Sequence, residues 1–331
     1  MRLDEIDRRR FVGALLLGVP GVASAAPGEA GAKPARIGWL SVVRYPGTPL
    51  WPVFVAGMRE LGWIEGEHYV VEHRPHEGHP ERLPALAAEL VASKVDLIVA
   101  AGTPLAVAAK TATSTIPIVF FYVGNPVGAG LVASLARPGG NATGTGGLNS
   151  ELLGKAMQLL KEAVPKSTRI GLLINPGFAG HDVAQAQLDT ASRALHLTLV
   201  PAEVRTADDI EPAFVLLAKA HVDGVFVMAQ PLLFREAGRI ARLAIEQRLP
   251  AISLPEEFAD AGALLSYGDR LIDVFRRTPF FVDRILKGAR PADLPVEQST
   301  RFYLTVNLKT ARAIGLVMSP TLMLRADRTI E

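Results

Sequence analysis

Two ten-residue stretches of the chain, residues 95–104 and 222–231, follow one pattern: each opens with Val-Asp, continues with mainly apolar residues and closes with proline. Helix-like sequence follows each stretch, and a strand-like segment containing proline comes next, at residues 116–118 and 249–252. Short apolar runs bounded by turn residues are typical of buried strands in parallel sheets. Self-similarity at this level also occurs within ordinary α/β proteins, but the matching order favours two similar βαβ lobes.

We therefore predict an α/β fold with two Rossmann-like lobes, each on a parallel sheet, and a ligand cleft between them. Turn residues are dense near residues 141–151, which marks the junction of the lobes. A long helix is predicted at residues 271–287 and a late strand at 302–306, and the sequence does not say which lobe that strand joins. The predicted division is lobe 1 over residues 35–147, lobe 2 over 148–267, and a C-terminal crossover shared between the lobes over 268–331.

The N-terminal residues have the three parts of a bacterial export signal. Arg8, Arg9 and Arg10 form a basic head, an apolar run follows at residues 11–19, and small residues at 23–25 suit a signal peptidase. The apolar run is shorter than the ~20 residues that span a bilayer. We predict a signal peptide over residues 1–25, a linker over 26–34 and a periplasmic location. The general and twin-arginine export routes both remain open.

Composition excludes several classes of function. The net charge is +2 and the basic residues are not clustered, which argues against nucleic-acid binding. The chain has no cysteine, so we expect no thiol catalysis, no cysteine-ligated metal and no lipid-anchored cysteine. Beyond the export signal no segment is long and apolar enough to enter a membrane. We expect a monomer without a cofactor.

Candidate ligand contacts follow the predicted strands, because ligands of open α/β sheets bind beyond the carboxyl ends of parallel strands. Most are neutral hydrogen-bonding groups, which favours binding over catalysis. Thr103 opens a helix whose free N–H groups suit a carboxylate, although it also fits a plain helix cap. Tyr45, in a loop with proline and glycine, is the aromatic candidate for stacking on a ligand. The full set is Ser41, Tyr45, Gly102, Thr103, Gly124, Asn125, Asn175, Gln230 and Tyr267.

Two motifs support other functions. His73, His76 and His79 are spaced three apart and are conceivable metal ligands, but Pro75 and Gly78 interrupt any helix that would align them, which favours a solvated loop. Residues 128–133 fit G-x-G-x-x-A, the dinucleotide fingerprint of an α/β enzyme. That motif is weak here, because it follows the fourth predicted strand instead of the first.

Three blocks of sequence resemble the ABC-transporter substrate-binding proteins typified by bacterial tryptophan- and tyrosine-binding proteins. They are residues 117–144, which contain Asn-Pro-Val-Gly-Ala-Gly, residues 82–90, and a C-terminal block made of Gly268 and residues 282–288, 293–298 and 307–311. The resemblance implies a type I periplasmic-binding-protein fold, delivery of a small solute to a membrane permease, and no catalysis. It also implies ligand contacts from the loops and turns named above.

One position departs from the family pattern. Asn125 stands where many relatives have aspartate, so a carboxylate suited to an ammonium group is replaced by a neutral amide. Either the solute is not an amino acid, or its ammonium group is bound by Glu256, Glu257 or another acid. An amino acid or another carboxylate-bearing molecule is the candidate solute.

The predicted function is therefore capture of a small solute in the interlobe cleft and its delivery to an ABC permease. A ligand-sensing subunit for a membrane receptor would have the same fold and remains the main alternative. An α/β enzyme with a nucleotide cofactor is the third possibility.

Overall fold

The computed structural model describes residues 33–146, 150–177 and 181–331. The predicted signal peptide and residues 26–32 of the predicted linker lie outside the described residues, so both stay predictions. Among the helices of the described part, none has the length and apolar character needed to cross a membrane.

Lobe 1 is built on a five-stranded sheet whose strands are all parallel. The strands are β1 (Ala35–Ser41), β2 (Tyr69–Pro75), β3 (Leu97–Ala101), β4 (Ile118–Val123) and β5 (Ala142–Gly146). Their order across the sheet is β2-β1-β3-β4-β5. Three helices connect them: α1 (Trp51–Glu60), α2 (Leu83–Ala92) and α3 (Thr103–Ala112).

Lobe 2 is built on a seven-stranded, mainly parallel sheet. Its strands are β6 (Arg169–Ile174), β7 (Thr198–Glu203), β8 (Gly224–Val227), β9 (Ala251–Ser253), β10 (Leu265–Gly268), β11 (Tyr303–Asn307) and β12 (Arg328–Ile330), in the order β12-β11-β10-β9-β8-β6-β7. β11 runs antiparallel to β10, and β12 runs parallel to β11. The late strand therefore belongs to lobe 2, which the sequence left open.

The remaining helices divide between the lobes. Lobe 2 carries α4 (Ser150–Ala163), α5 (His181–Ala194), α6 (Ile210–Lys219), α7 (Pro231–Arg235), α8 (Ala237–Glu246), α9 (Glu256–Asp260), α12 (Leu308–Ile314) and α13 (Pro320–Met323). Two helices that follow β10, α10 (Leu271–Phe275) and α11 (Thr278–Leu286), return to lobe 1 and pack on α1 and β4. The chain thus passes between the lobes after β5, after β10 and before β11.

The predicted single helix over residues 271–287 is wrong, because the structure has two helices there. Pro279 lies in the first turn of α11. A proline inside a continuous helix would clash with the carbonyl group four residues earlier, which here belongs to Phe275, the last residue of α10. The chain therefore stops one helix and begins another between these two residues.

Both faces of the lobe 1 sheet are buried, which explains why its strands read as continuous apolar runs. Because neighbouring side chains of a strand point to opposite faces, Val99 and Phe121 join the cluster that contains Trp39. Ile98 and Phe120 join the cluster on the other face. The α/β class and the two lobes predicted from sequence are confirmed.

A glycine in β5 allows close approach to β4, and this gives the first prediction. Gly144 has φ +147°, and a Cβ there would overlap with the backbone carbonyl of Phe120. We expect Gly144→Ala to lower the free energy of unfolding by roughly 3 kcal/mol or more, because backbone must move. Urea denaturation measures the change.

Gly154 in α4 provides the matched control. A Cβ there would lie 3.6 Å from Cβ of Ala191, an ordinary contact. Gly154→Ala should raise stability by about 0.5–1 kcal/mol, since alanine loses less backbone entropy in a helix. Equal changes in the free energy of unfolding for the two substitutions would contradict the close contact between Gly144 and the Phe120 carbonyl.

Candidate ligand site between the lobes

The polar candidate residues lie at the carboxyl edges of the two sheets. In lobe 1 Ser41 ends β1, Gly102 follows β3 and Gly124 follows β4. In lobe 2 Asn175 follows β6 and Tyr267 lies in the last part of β10. These edges are where an open α/β sheet binds ligands.

A tyrosine of lobe 1 feels the charges of two acids from elsewhere in the chain, Glu257 of lobe 2 and Asp269 directly after β10. Tyr122, near the end of β4, has φ +57°, and the pairing of β4 with β5 shifts register beside it. Burial raises the pKa of the Tyr122 phenol, and the negative charges of Asp269 and Glu257 raise it further. The charges of Glu257 and Asp269 therefore act on a phenol that belongs to lobe 1.

Both acids are half-buried and poorly compensated. Burial raises the pKa of the Glu257 carboxyl, and the charges of neighbouring acids add to the effect. Burial also raises the pKa of the Asp269 carboxyl. A hydrogen bond donated by Ser299 Oγ to Asp269 Oδ2 at 2.6 Å lowers this pKa and so opposes the effect of burial. Glu256 differs, because its oxygens lie 2.9 Å from Arg270 Nε and 3.4 Å from an Arg328 nitrogen. Of the two neighbouring glutamates, Glu257 is the one without an ion pair among the described residues.

Two candidate residues of lobe 2 are bound to each other. The backbone N–H of Asn175 donates to Gln230 Oε1 at 2.5 Å, and Gln230 Nε2 donates to the Asn175 carbonyl at 3.1 Å. Asn175 Oδ1 in turn accepts from the backbone N–H of Gly177 at 2.9 Å. Gln230 is buried and joins the ends of β6 and β8, so it positions the rim of lobe 2.

Asn125 has a local structural role. Its Oδ1 accepts a hydrogen bond from the backbone N–H of Gly128 at 2.9 Å, which closes the turn after β4. A Cβ at position 128 would overlap with the Asn125 amide, which explains the glycine. An aspartate oxygen accepts the same bond equally well, so the exchange of aspartate for asparagine does not by itself identify the solute.

The tyrosine candidates lie in different environments. Tyr45 is buried, with its ring centroid 5.3 Å from that of Trp39 and stacked at 5.8 Å on Phe275. Its ring faces are therefore occupied by the lobe 1 core. Tyr267 lines a depression of about 430 Å³ together with Lys155, Phe302, Leu304, Arg325 and Asp327.

The remaining lobe 1 candidates surround the start of α3. Gly102 has φ +89°, a conformation that favours glycine, and its N–H donates to the Phe121 carbonyl. Thr103 is the first residue of α3, whose first N–H groups lie at the sheet edge. Ser41 Oγ donates to the Val43 carbonyl at 2.6 Å, so it holds its own loop.

The competing motifs do not form sites. His73 lies in β2 with its ring centroid 5.0 Å from that of Trp51, and His76 is buried, so the solvated-loop interpretation is wrong for these two residues. His79 is exposed. No group of three or more metal-ligating side chains occurs in the described part of the chain. Residues 128–133 form turns and irregular backbone, without the helix start that a dinucleotide fingerprint requires.

Comparison with known proteins agrees with this geometry. The model of the family described as ABC transporter substrate binding protein matches residues 53–330. The chain belongs to this family. It is a substrate-binding protein and not an enzyme, as the sequence predicted.

Individual relatives support the same assignment. A tyrosine-binding protein of Clostridioides difficile is 26% identical over 263 residues, which cover 80% of this chain and 75% of that protein. A conserved domain protein from Vibrio cholerae matches with a TM-score of 0.83 at 26% identity, over 90% of this chain and 100% of that one. The fold is also that of an ABC domain from Streptococcus pneumoniae in complex with L-Trp, with a TM-score of 0.81, 22% identity and the same coverage.

Sequence reasoning missed Tyr122 and Asp269 and named Glu257 only as one of several acids. Tyr122 reads as an ordinary apolar strand residue, and its left-handed backbone has no sequence signal. Asp269 follows β10 directly. The rule that selected the polar residues after other strands would have found it.

The turn at Asn125 gives a prediction for this substrate-binding protein. Asn125→Ala removes the acceptor for the Gly128 N–H and should lower the free energy of unfolding by about 1 kcal/mol. Asn125→Asp keeps the acceptor and should stay within about 0.5 kcal/mol of the parent. Urea denaturation of both variants measures the difference, and equal losses would show that the acceptor is irrelevant.

His73 gives a prediction of pH dependence. Burial, aided by the charge of Arg44, lowers the pKa of His73 to about 4 from its ordinary value of 6.5. Between these values the unfolded chain binds more protons at this group, so stability should fall as the pH drops below about 6.5. His73→Phe should weaken that fall between pH 7 and pH 5 in urea denaturation. The same slope in both proteins would contradict the assignment.

Proposed function

We propose that this chain is an exported solute-binding protein that captures an amino acid between its lobes and delivers it to an ABC permease in the periplasm. The observation that carries the proposal is that polar candidate residues lie at the carboxyl edges of both sheets, in a chain that belongs to the substrate-binding family. The family match and the predicted export signal support delivery to a permease.

The charges expected on the ligand follow from the groups at the carboxyl edges of the two sheets. A half-buried carboxylate without a cation is destabilised, and an ammonium group of a ligand stabilises it. Glu257 is therefore the proposed ammonium partner, with Asp269 beside it. On lobe 1 the first N–H groups of α3 and the Thr103 hydroxyl are the proposed carboxylate contacts. The tyrosine-binding relative is consistent with such a zwitterion.

The polar residues that bind each other have a supporting role in this proposal. Gln230, Asn175 and Asn125 hold the rim, because their amide groups are engaged in bonds within the rim itself. Ser41 likewise shapes its loop. Gly102, at φ +89°, allows the backbone of lobe 1 to turn there, and Gly124 follows β4 at the same edge.

Thermal denaturation with matched ligands tests the ligand class. The mature protein, refolded from guanidinium to remove carried ligand, is mixed with L-tyrosine or L-tryptophan. We expect the melting temperature to rise with ligand concentration, because binding to the folded state stabilises it. Tyramine, which lacks the carboxylate, and 3-(4-hydroxyphenyl)propionate, which lacks the amino group, should give little shift. Equal shifts with the deaminated compound would contradict the proposed ammonium site.

Two glutamates of α9 provide the matched variants for calorimetry. Glu257→Gln should weaken binding of the ligand that gives the largest shift by roughly 10–100-fold, as expected for loss of a charged hydrogen-bond partner. Glu256→Gln removes the same charge from an ion-paired position and should change affinity less than about threefold. Similar losses of affinity in both variants would indicate that the overall negative charge of lobe 2 determines binding, and would contradict a specific ammonium contact at Glu257. Uptake of the labelled ligand by cells, with and without this protein, tests delivery.

A further inference from the structure

Tyr122 has an unusual backbone conformation for its place in the fold. Its φ of +57° lies in the left-handed region, which bulky residues rarely adopt because Cβ comes too close to a carbonyl oxygen. Six non-glycine residues of the described part have positive φ, and five of them lie in turns. Of these six, Tyr122 alone lies within a strand, at the carboxyl end of β4. An ordinary turn therefore does not account for its conformation.

The conformation belongs to a β-bulge. The strand β4 pairs with β5 at Phe120 and again at Val123, but only one residue of β5, Thr145, lies between the two partners. Phe121 and Tyr122 therefore oppose a single residue, which is the arrangement of a bulge. Bulges redirect a side chain, and they are frequent beside functional sites.

The bulge changes the face of the sheet on which Tyr122 lies. Strict alternation would put its side chain on the face of Phe120. Instead it packs against the aromatic cluster that contains Phe121 and Trp39. Val123, after the bulge, returns to the cluster of Phe120. The extra residue of β4 thus redirects one side chain, that of Tyr122, at the carboxyl edge of lobe 1.

Tyr122 also lies beside the start of α3. Phe121 pairs with Ala101 of β3, and its carbonyl accepts a hydrogen bond at 2.9 Å from the N–H of Gly102, the residue that precedes α3. Tyr122 is the next residue along β4. It is therefore a neighbour of the first N–H groups of α3 and of Thr103, which are the proposed carboxylate contacts of lobe 1.

The hydroxyl of Tyr122 is available as a donor. The side chain is half-buried, and its hydroxyl makes no hydrogen bond within the part of the chain that the structure describes. Burial, together with the negative charges of Asp269 and Glu257, raises the pKa of the phenol. The hydroxyl therefore keeps its proton at physiological pH, and a protonated phenol donates to an acceptor such as a carboxylate.

We propose that Tyr122 is a ligand-contact residue of lobe 1, whose hydroxyl donates a hydrogen bond to the carboxylate of the bound amino acid beside the start of α3. The proposal rests on the proposed function, because it takes the ligand to be an amino acid. Residues held in an unfavourable backbone conformation cluster at ligand sites, where the surrounding structure enforces them. A hydrogen bond from a phenol to a carboxylate is charge-assisted, so it is stronger than one between neutral groups.

Removal of the hydroxyl alone tests the contact. Calorimetry measures the affinity of the refolded, ligand-free protein for L-tyrosine and for L-tryptophan. Tyr122→Phe should weaken binding of the amino acid by roughly tenfold or more, as expected for a lost hydrogen bond to a charged group. Tyr122→Asn should lose the contact as well, and asparagine tolerates the left-handed conformation.

Tyr69→Phe is the matched control. Tyr69 is buried in the same lobe, but it begins β2 and so lies at the opposite edge of the sheet. Its hydroxyl is buried without a hydrogen-bond partner among the described residues. The control should change affinity by less than about twofold, because the two sites are distant.

Amines that lack the carboxylate identify the ligand group that Tyr122 contacts. Competition with L-tyrosine gives the affinity of tyramine, and competition with L-tryptophan gives that of tryptamine. Tyr122→Phe should leave the weak affinity for the amine unchanged, so the preference for the amino acid over its amine should fall. Urea denaturation of Tyr122→Phe should match that of the parent.

Four results would overturn the contact. Unchanged affinity of Tyr122→Phe for an amino acid that the parent binds would remove the contact and leave the proposed function intact. Equal losses for the amino acid and its amine would show that the hydroxyl does not contact the carboxylate. A loss of affinity accompanied by a loss of stability would assign a structural role to the hydroxyl. A parent protein that binds neither amino acid would contradict the proposed function and the contact together.

Discussion

The aromatic core of lobe 1 is the interaction on which the two-lobe arrangement depends. Phe275 of α10 lies with its ring centroid 5.0 Å from that of Phe121 and 6.1 Å from that of Trp39. Phe281 of α11 is buried in the same cluster. Because these two helices come directly after β10 of lobe 2, their burial draws the chain back to lobe 1. The passing segment that contains Asp269 is fixed as a consequence.

The polar residues of the rim illustrate how a binding edge is stabilised before any ligand arrives. Backbone groups at strand ends need partners, and each such bond contributes about 1 kcal/mol of stability. Gln230 supplies two such bonds to Asn175, and Asn125 supplies one to Gly128. These amides are therefore not free to rearrange around a ligand without cost. Under the proposed function, the groups that remain for recognition are the start of α3 and the two acids, Glu257 and Asp269.

Much of the fold follows from sequence because its signals are local. The apolar runs of β3 and β8 and their flanking turn residues identify buried strands without knowledge of the rest. The break between α10 and α11 was also readable, since Pro279 is incompatible with one continuous helix. The direction of β11 was not readable, because it depends on where the chain re-enters lobe 2. The candidate site was even harder to predict from the sequence. The charge of Glu257 acts on Tyr122 in the other lobe, and the bonds of Gln230 depend on a strand fifty-five residues away.

In the proposed site, a carboxylate without a compensating cation is unfavourable when the lobes close on a ligand. This penalty favours ligands that supply a cation. At this site, a ligand without a cation would leave Glu257 and Asp269 half-buried and unpaired, which is unfavourable. A ligand with an ammonium group removes the penalty and adds a charged hydrogen bond. Discrimination then arises from the unfavourable alternative as much as from the favourable contact.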